Sequence, residues 1–308
     1  MSMQDYPPDP NAPSTTPPST GTPASDYTIP AQYTPPAAPK RTDPLVLPPG
    51  SSYAAWFTAI SDVAKRSWKS TGIISAVGIA APLAVLSLIS YSAGVGGVIS
   101  IVTPFRHPGG TLLKLVISIG VAFVASVGWA AGSWALVNEA KTGQPANVNA
   151  AFQYGLKRAM ALFPWAVIAG VACVVGLMLL WIPGLYLAFA FSLFGFVAVF
   201  ERNQQPLMRS LNMVHRSIGP ALAKIGTLFG IFLVYYGIKS VIVVVISLPF
   251  RILSGSGQGI GVGFVEMIGT VLLAPVIAVL MIGLLVTYAE LRAQEGPTST
   301  DDLAAALD

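Results

Sequence analysis

The chain has 308 residues, of which 54% are hydrophobic and only 10% are charged, and its mean hydropathy is +0.68. Soluble globular domains carry about a quarter charged residues, so this composition excludes that class and indicates an integral membrane protein. The net charge is +4, but the basic residues flank apolar runs and form no stripe with interleaved aromatic residues. We therefore expect no nucleic acid partner. The expected counter-charge is the anionic headgroups of the lipid bilayer.

The first 50 residues form a predicted tail with a different composition. Residues 1–49 contain 14 of the 25 prolines, together with Ser, Thr and Ala, and cannot bury enough apolar surface to fold. We predict a disordered, Pro-rich cytoplasmic tail that stays on the mature chain, because no basic stretch followed by an apolar run lies near Met1. The tyrosine-proline pieces starting at Tyr6 and Tyr33 are candidates for docking as polyproline II on a cytoplasmic protein partner. A solvated spacer is the simpler interpretation.

Six apolar runs beyond Gly50 are long enough to cross a bilayer, which takes roughly 20 residues. Residues 51–292 are thus predicted to form an all-α membrane domain, with residues 293–308 as a short cytoplasmic tail. Pro183-Gly184 is predicted to make the tight turn between the third and fourth runs, with one long kinked helix as the alternative. The predicted spans are Gly72–Tyr91, Leu112–Val137, Leu162–Ile182, Gly184–Phe200, Ala221–Leu248 and Gly263–Tyr288.

The distribution of Lys and Arg predicts the orientation of these spans. With the N-terminus inside, 13 of the 17 basic residues fall on the cytoplasmic side and three on the outer side, while Lys239 lies within a span. Because basic residues are enriched in cytoplasmic loops, both termini are predicted to be cytoplasmic in a bacterial plasma membrane.

Three segments that precede the first, third and fifth spans resemble one another. Each carries apolar residues at intervals of three and four with a basic pair alongside, which is typical of a helix that lies in the membrane interface. We expect these helices to direct their basic residues to the lipid headgroups. The residues concerned are Lys65, Arg66, Lys157, Arg158, Arg209 and Arg216.

The second, fourth and sixth spans also share a feature at their cytoplasmic ends. Each ends with a glutamate followed within two residues by a base, at Glu139, Glu201 and Glu290. One hypothesis is that the three carboxylates converge at the inner mouth of the bundle and pair with the basic helices or gate a polar path. The simpler hypothesis is that each one pins its helix end to a neighbouring surface helix. Together these patterns predict three hairpin repeats, each an interfacial helix followed by two spans.

The motif Glu201-Arg202, followed by Pro206-Leu207-Met208-Arg209-Ser210-Leu211 and an apolar span, resembles the bacterial glycerophosphoryl diester phosphodiesterase membrane-domain family. The resemblance covers about residues 53–292. It implies a helical six-span fold and membrane location. Nothing in the chain resembles the phosphodiesterase barrel to which some relatives are fused, so no esterase activity is carried over.

Lys239 lies inside the fifth span, where an ammonium group costs several kcal/mol unless it is paired or hydrated. Glu266, near the start of the sixth span, is the nearest candidate partner by hairpin geometry. The two form a predicted intramembrane polar site. A lysine that snorkels from a long, tilted helix is the alternative.

No catalytic residues, cofactor or metal site are predicted, because no serine, histidine and carboxylate share a plausible surface and the two histidines fall on opposite sides. The single cysteine, Cys173, cannot form an intramolecular disulfide. Two non-enzymatic functions remain. The first is a membrane-anchored assembly or scaffold component that recruits partners through its Pro-rich tail. The second is a small-solute or lipid transporter or channel that uses Lys239 and Glu266.

Overall fold

A computed structural model describes residues 43–92, 108–201, 205–254 and 259–307, which belong to one unit, Arg41–Asp308. Within these ranges the protein is all-helical and has six helices long and apolar enough to cross a membrane. It is therefore a multi-pass membrane protein. The predictions for the Pro-rich segment before residue 43, and for Arg106, His107 and Arg202, lie outside the described residues.

The first three spans are long helices. The first is a continuous helical stretch of 40 residues, Tyr53–Ser92. It consists of α1 (Tyr53–Ser75), a π-helical turn (Ala76–Ala80) and α2 (Ala81–Ser92). The second span is α3 (Pro108–Thr142) and the third is α4 (Val148–Leu179).

The second half of the fold contains two interrupted spans. The fourth span consists of α5 (Trp181–Ala190), the short α6 (Phe194–Phe196) and a π-helical end, Val197–Glu201. A separate helix, α7 (Pro206–Arg216), leads into the fifth span, α8 (Ile218–Ser254). The sixth span consists of α9 (Ile260–Val271) and α10 (Ala274–Ala293), and a short helix follows, α11 (Thr300–Ala305).

The chain reverses between the third and fourth spans at Leu180, not at Pro183-Gly184 as predicted. Leu180 is extended between α4 and α5, while Pro183 lies in the first turn of α5. Proline is tolerated there because the first N–H groups of a helix have no partner within it. A Cβ on Gly184 would lie 2.4 Å from the backbone nitrogen of Leu177, so this glycine permits close helix packing instead of making the turn.

Only the third predicted surface segment forms a helix of its own. The first two are the N-terminal parts of α1 and α4 and run without a break into the first and third spans. The break after α7 has a local cause. Pro220 has no N–H to bond the carbonyl of Arg216, so the helix cannot continue through Ser217 without losing a hydrogen bond.

Two prolines also explain irregularities inside the first and sixth spans. Pro82 cannot donate to the carbonyl of Gly78, and the N–H of Ala81 bonds to Ala76 in the π-helical pattern. In the sixth span, Pro275 cannot donate to the carbonyl of Val271, and the helix is interrupted at Leu272 and Leu273.

The hairpins pack through close backbone contacts and a shared aromatic core. A Cβ on Gly78 would lie 2.6 Å from the Cα of Gly128, so the first and second spans touch at these glycines. The aromatic rings of Phe196, Phe200 and Tyr288 stack on one another at centroid separations of 5.6–6.3 Å. This contact joins the C-terminal ends of the fourth and sixth spans.

The folded unit extends beyond residues 51–292 at both ends, which differs from the predicted boundaries. Leu45, Val46 and Leu47 were assigned to the tail but are buried, and Leu303 and Leu307 are buried with them. The predicted C-terminal tail thus contains a packed helix, α11. At the other end, residues 43–47 are a non-helical segment that packs against the folded unit.

Candidate functional site

The structure joins Lys239 of α8 to Glu266 of α9 in an ion pair. Lys239 is only 6% exposed. A Cβ on Gly269 would lie 2.9 Å from the Cε of Lys239, so the absence of a side chain at Gly269 gives the lysine stem its space. The ammonium group also lies 5.3 Å from the ring centroid of Tyr236. The pairing offsets the cost of an ammonium group inside a span.

Neutral polar groups on the same and neighbouring helices form further hydrogen bonds close to this pair in the chain. Thr270 donates its hydroxyl to the carbonyl of Glu266 at 2.8 Å and lies 3.4 Å from the hydroxyl of Ser87 on α2. Tyr235 donates to the carbonyl of Leu272, at the interruption of the sixth span. The first, fifth and sixth spans therefore meet around one polar cluster.

Glu139 is 1% exposed and lies between α1 and the loop after α3. One of its oxygens accepts hydrogen bonds from the hydroxyl of Ser70 and, at 2.7 Å, from the N–H of Ala146. The loop itself begins at Gly143, whose φ of +69° is typical of the glycine that ends a helix. Glu139 thus fixes the turn between the second and third spans to the first helix.

Glu201 is bound by the basic helix that follows it. It accepts a hydrogen bond from Arg209 of α7 at 2.8 Å and another from the hydroxyl of Tyr288 at 3.1 Å. Arg209 also pairs with Glu295, which lies 3.3 Å from the guanidinium of Arg216. Burial alone would lower the pKa of Arg209, but its hydrogen bonds with Glu295 and Glu201 outweigh burial and raise it. The guanidinium therefore stays charged between two carboxylates.

Glu290, near the C-terminal end of the sixth span, forms a deeply buried ion pair. Both of its oxygens accept hydrogen bonds from the ammonium group of Lys224 on α8, and the two residues are 1% and 5% exposed. Removal of one partner from such a pair leaves an uncompensated charge in a medium of low dielectric. The pair therefore fixes the fifth span to the sixth.

The three repeated glutamates thus have three different sets of partners: hydroxyl and backbone groups for Glu139, Arg209 and Tyr288 for Glu201, and Lys224 for Glu290. No hydrogen bond between any two of them occurs among the described residues. This arrangement favours the hypothesis that each carboxylate fixes its own helix end.

The six basic residues predicted to face lipid headgroups divide into two groups. Lys65, Lys157 and Arg216 are exposed, as an interfacial position requires. The others are partly buried: Arg158 lies against Tyr154, with its Nε 3.3 Å from the tyrosine hydroxyl, and Arg66 has buried guanidinium nitrogens. Arg209 differs from the prediction, because its charge is used within the protein.

The sequence analysis missed a site that joins the two ends of the folded unit. Asp43 accepts hydrogen bonds from the backbone N–H of Thr300 at 2.8 Å and from its hydroxyl at 2.6 Å. The N–H groups of Leu45 and Val46 also bond to Asp43. A capping box of Ser299 and Asp302 begins α11. The pattern Ser-x-x-Asp at residues 299–302 was a readable signal of a helix start.

Two cavities flank α5. The larger, of about 510 Å³, lies between the fourth, fifth and sixth spans and is lined almost entirely by apolar side chains. The smaller, of about 390 Å³, lies between α3, α4 and α5 and includes Cys173 in its wall. Within the described part of the chain, no group of three or more His, Cys, Asp or Glu residues is arranged to hold a metal ion.

The site thus consists of ion pairs, a polar cluster and two cavities. The resemblance to the glycerophosphoryl diester phosphodiesterase membrane-domain family rests on the motif at residues 201–211 and stays a prediction. No protein-family model, no curated protein and no solved structure matches the chain.

Proposed function

We propose that this protein is a membrane-anchored assembly or scaffold component of the bacterial plasma membrane. In this proposal the six-span bundle anchors a cytoplasmic platform, and the Pro-rich segment that precedes Asp43 recruits a cytoplasmic protein partner.

The docking of residues 43–47 against α11 carries the proposal. Asp43 is bonded to Thr300, and Leu45 is completely buried. The residues that follow the Pro-rich segment in the chain are therefore packed against α11.

The charged residues of the bundle support the same proposal. Lys224 and Lys239 are each neutralised by a glutamate from the sixth span. Buried pairs of this kind are costly to break and hold helices in register. These two lysines and their two glutamates are therefore accounted for by contacts between the fifth and sixth spans.

The decisive experiment compares the proteins that co-purify with the full chain and with a chain that lacks residues 1–42. The deletion stops at residue 42 because residues 43–47 belong to the folded unit. Stoichiometric partners are identified by mass spectrometry after mild solubilisation. A matched control keeps the tail and replaces Tyr6 and Tyr33 by alanine, which separates recognition of the tyrosine-proline pieces from recognition of the tail as a whole. If neither change removes a stoichiometric partner, the scaffold proposal is wrong.

The proposed orientation is testable by labelling single cysteines in a Cys173→Ser background. With both termini cytoplasmic, Ser25→Cys should resist a membrane-impermeant maleimide in intact cells, while Ser256→Cys, between the fifth and sixth spans, should react. The reverse result would place the platform on the wrong side for a cytoplasmic partner.

A transporter or channel for a small solute or lipid is the second candidate. The observation in its favour is that the Lys239–Glu266 pair lies beside an interrupted helix, since discontinuous spans often mark transport sites. Under this function, the double variant Lys239→Met/Glu266→Leu, which leaves no unpaired charge in the spans, should abolish flux in reconstituted vesicles while the protein remains folded. Under the scaffold function, the same variant should still bind its partner.

A further inference from the structure

The larger cavity is an apolar groove formed by α5, α8 and α10, and the scaffold proposal assigns it no role. Its wall contains bulky side chains from all three helices. They include Leu185 and Phe189 of α5, Ile225, Phe229 and Phe232 of α8, and Leu284 of α10. At about 510 Å³ the groove has the size of a ligand site. The groove lies between membrane spans and has an almost wholly apolar wall. A water-soluble ligand would therefore gain little binding free energy there.

One end of the groove is polar. Tyr186 lines the groove, and its hydroxyl lies 2.6 Å from Nε2 of His215, the penultimate residue of α7. Nδ1 of His215 lies 2.9 Å from the carbonyl of Leu211. That carbonyl can only accept, so Nδ1 donates to it, and Nε2 accepts from Tyr186 in the neutral imidazole. Arg216 follows directly, with 70% of its side chain exposed.

The charges around this end favour an anion. Glu295 is shared between Arg209 and Arg216, and Glu201 is bound to Arg209. Arg292 bonds to Tyr288 nearby. Two arginines therefore share Glu295, and Arg216, next to His215, is the more exposed of the two. A phosphate group suits an exposed guanidinium because it accepts two parallel hydrogen bonds from it.

We propose that the groove holds one acyl chain of an anionic phospholipid from the surrounding bilayer, with the phosphate bound by Arg216 beside the Tyr186–His215 pair. The apolar wall would bind the acyl chain of the lipid, and the cationic end would bind its headgroup. A transmembrane helix of a second copy is the competing occupant. Helices that associate in membranes approach through small residues, whereas bulky side chains such as Phe229 and Phe232 make up most of the wall of this groove.

Glycines of α8 provide a matched pair of variants. A Cβ at Gly226, which lines the groove, or at Gly237, which does not, would have no atom within 4 Å. Gly226→Trp should therefore fill the groove without disturbing the bundle, and Gly237→Trp is the control on the same helix. Arg216→Gln removes the cation and lies outside the spans, so it tests the headgroup even if the tryptophan variant fails to fold.

The experiment incubates the purified full chain in detergent with phosphatidylglycerol or with phosphatidylcholine of the same acyl chains, and native mass spectrometry counts the retained lipids. We expect one retained phosphatidylglycerol per chain, with retention about tenfold weaker in Arg216→Gln. Gly226→Trp should abolish retention, and Gly237→Trp should leave it unchanged.

Equal retention of the two lipids by the original chain would overturn the proposal, as would equal effects of the two tryptophan variants. If Gly226→Trp instead converts a dimer to a monomer and no lipid is retained, the groove belongs to a second copy of the chain. Neither result would bear on the Pro-rich segment, so this proposal and the scaffold proposal can fail separately.

Discussion

The carboxylate of Asp43 bonds to both the backbone N–H and the hydroxyl of Thr300, two residues 257 positions apart in the chain. The contact joins the start of the folded unit to the first turn of α11. Because the first N–H groups of a helix lack partners within it, an incoming carboxylate satisfies one of them. The Asp43 side chain thus adds a polar link between the two ends of the folded unit, which also share the buried cluster of Leu45 and Leu303.

Asp43→Ala should release residues 43–50 and α11 from each other. The lost hydrogen bonds to a charged acceptor are worth about 1–3 kcal/mol, and the bundle should stay folded. Limited proteolysis should cleave the variant faster near residue 50 and near residue 297. Asp301→Ala, at an exposed position in the same helix, is the control and should behave as the original chain does.

The same contact should depend on pH. Burial alone would raise the pKa of Asp43, but hydrogen bonds from Thr300, Val46 and Leu45 outweigh burial and lower it. A carboxyl group whose pKa is lowered by folding stabilises the folded state above its unfolded pKa of about 3.9. That stability is lost as the pH falls through the folded value. Cleavage near residue 50, expressed relative to Asp43→Ala at the same pH, should therefore be unchanged between pH 8 and pH 5 with thermolysin and increase only below about pH 4 with pepsin.

The effects of substitutions at Lys239 and Glu266 on the free energy of unfolding should be strongly non-additive. Lys239→Met should destabilise the bundle by about 3–5 kcal/mol, because Glu266 would be left without its cation. The double variant Lys239→Met/Glu266→Leu should recover most of the loss, since apolar residues of similar volume often replace buried pairs without cost. Unfolding in mixed detergent is the measurement. Equal loss in the single and the double variants would show that the pair contributes little.

Replacement of two glycines of the first span by alanine should change the stability of the protein in opposite directions. Gly78→Ala would place a Cβ 2.6 Å from the Cα of Gly128 and should cost about 1–3 kcal/mol. Gly72→Ala meets open space and should stabilise the helix by up to about 1 kcal/mol. Thermal unfolding of both variants tests the close contact between the first two spans. A neutral Gly78→Ala would show that this contact is loose.

The two arginines of α7 should differ in their structural importance. Arg209→Gln leaves Glu201 and Glu295 without their shared cation and should cost about 1.5–3 kcal/mol. Arg216→Gln should cost less than about 1 kcal/mol, because its single contact with Glu295 is exposed to solvent. Similar losses in the two variants would contradict the central role of Arg209 in this cluster.

Several features of the fold could be predicted from local pattern alone. The six spans follow from the length of the apolar runs, and the helix α7 follows from its apolar repeat and the proline at its start. Lys239 required a partner because of its position in an apolar run, and chain geometry pointed to Glu266. The turn at Leu180 could not be predicted. A Pro-Gly pair suits a tight turn and also suits the first turn of a closely packed helix, and the local sequence does not distinguish the two.

The sequence by itself determined that this protein is helical, spans a membrane and carries a polar pair inside a span, because hydrophobicity and residue spacing act locally. Only the tertiary structure decided which cations neutralise Glu201 and Glu290, that Asp43 is bonded to Thr300, and that an apolar groove with a cationic end lies beside α8. These contacts join residues far apart in the chain. They depend on how whole helices pack, and no local pattern records that packing.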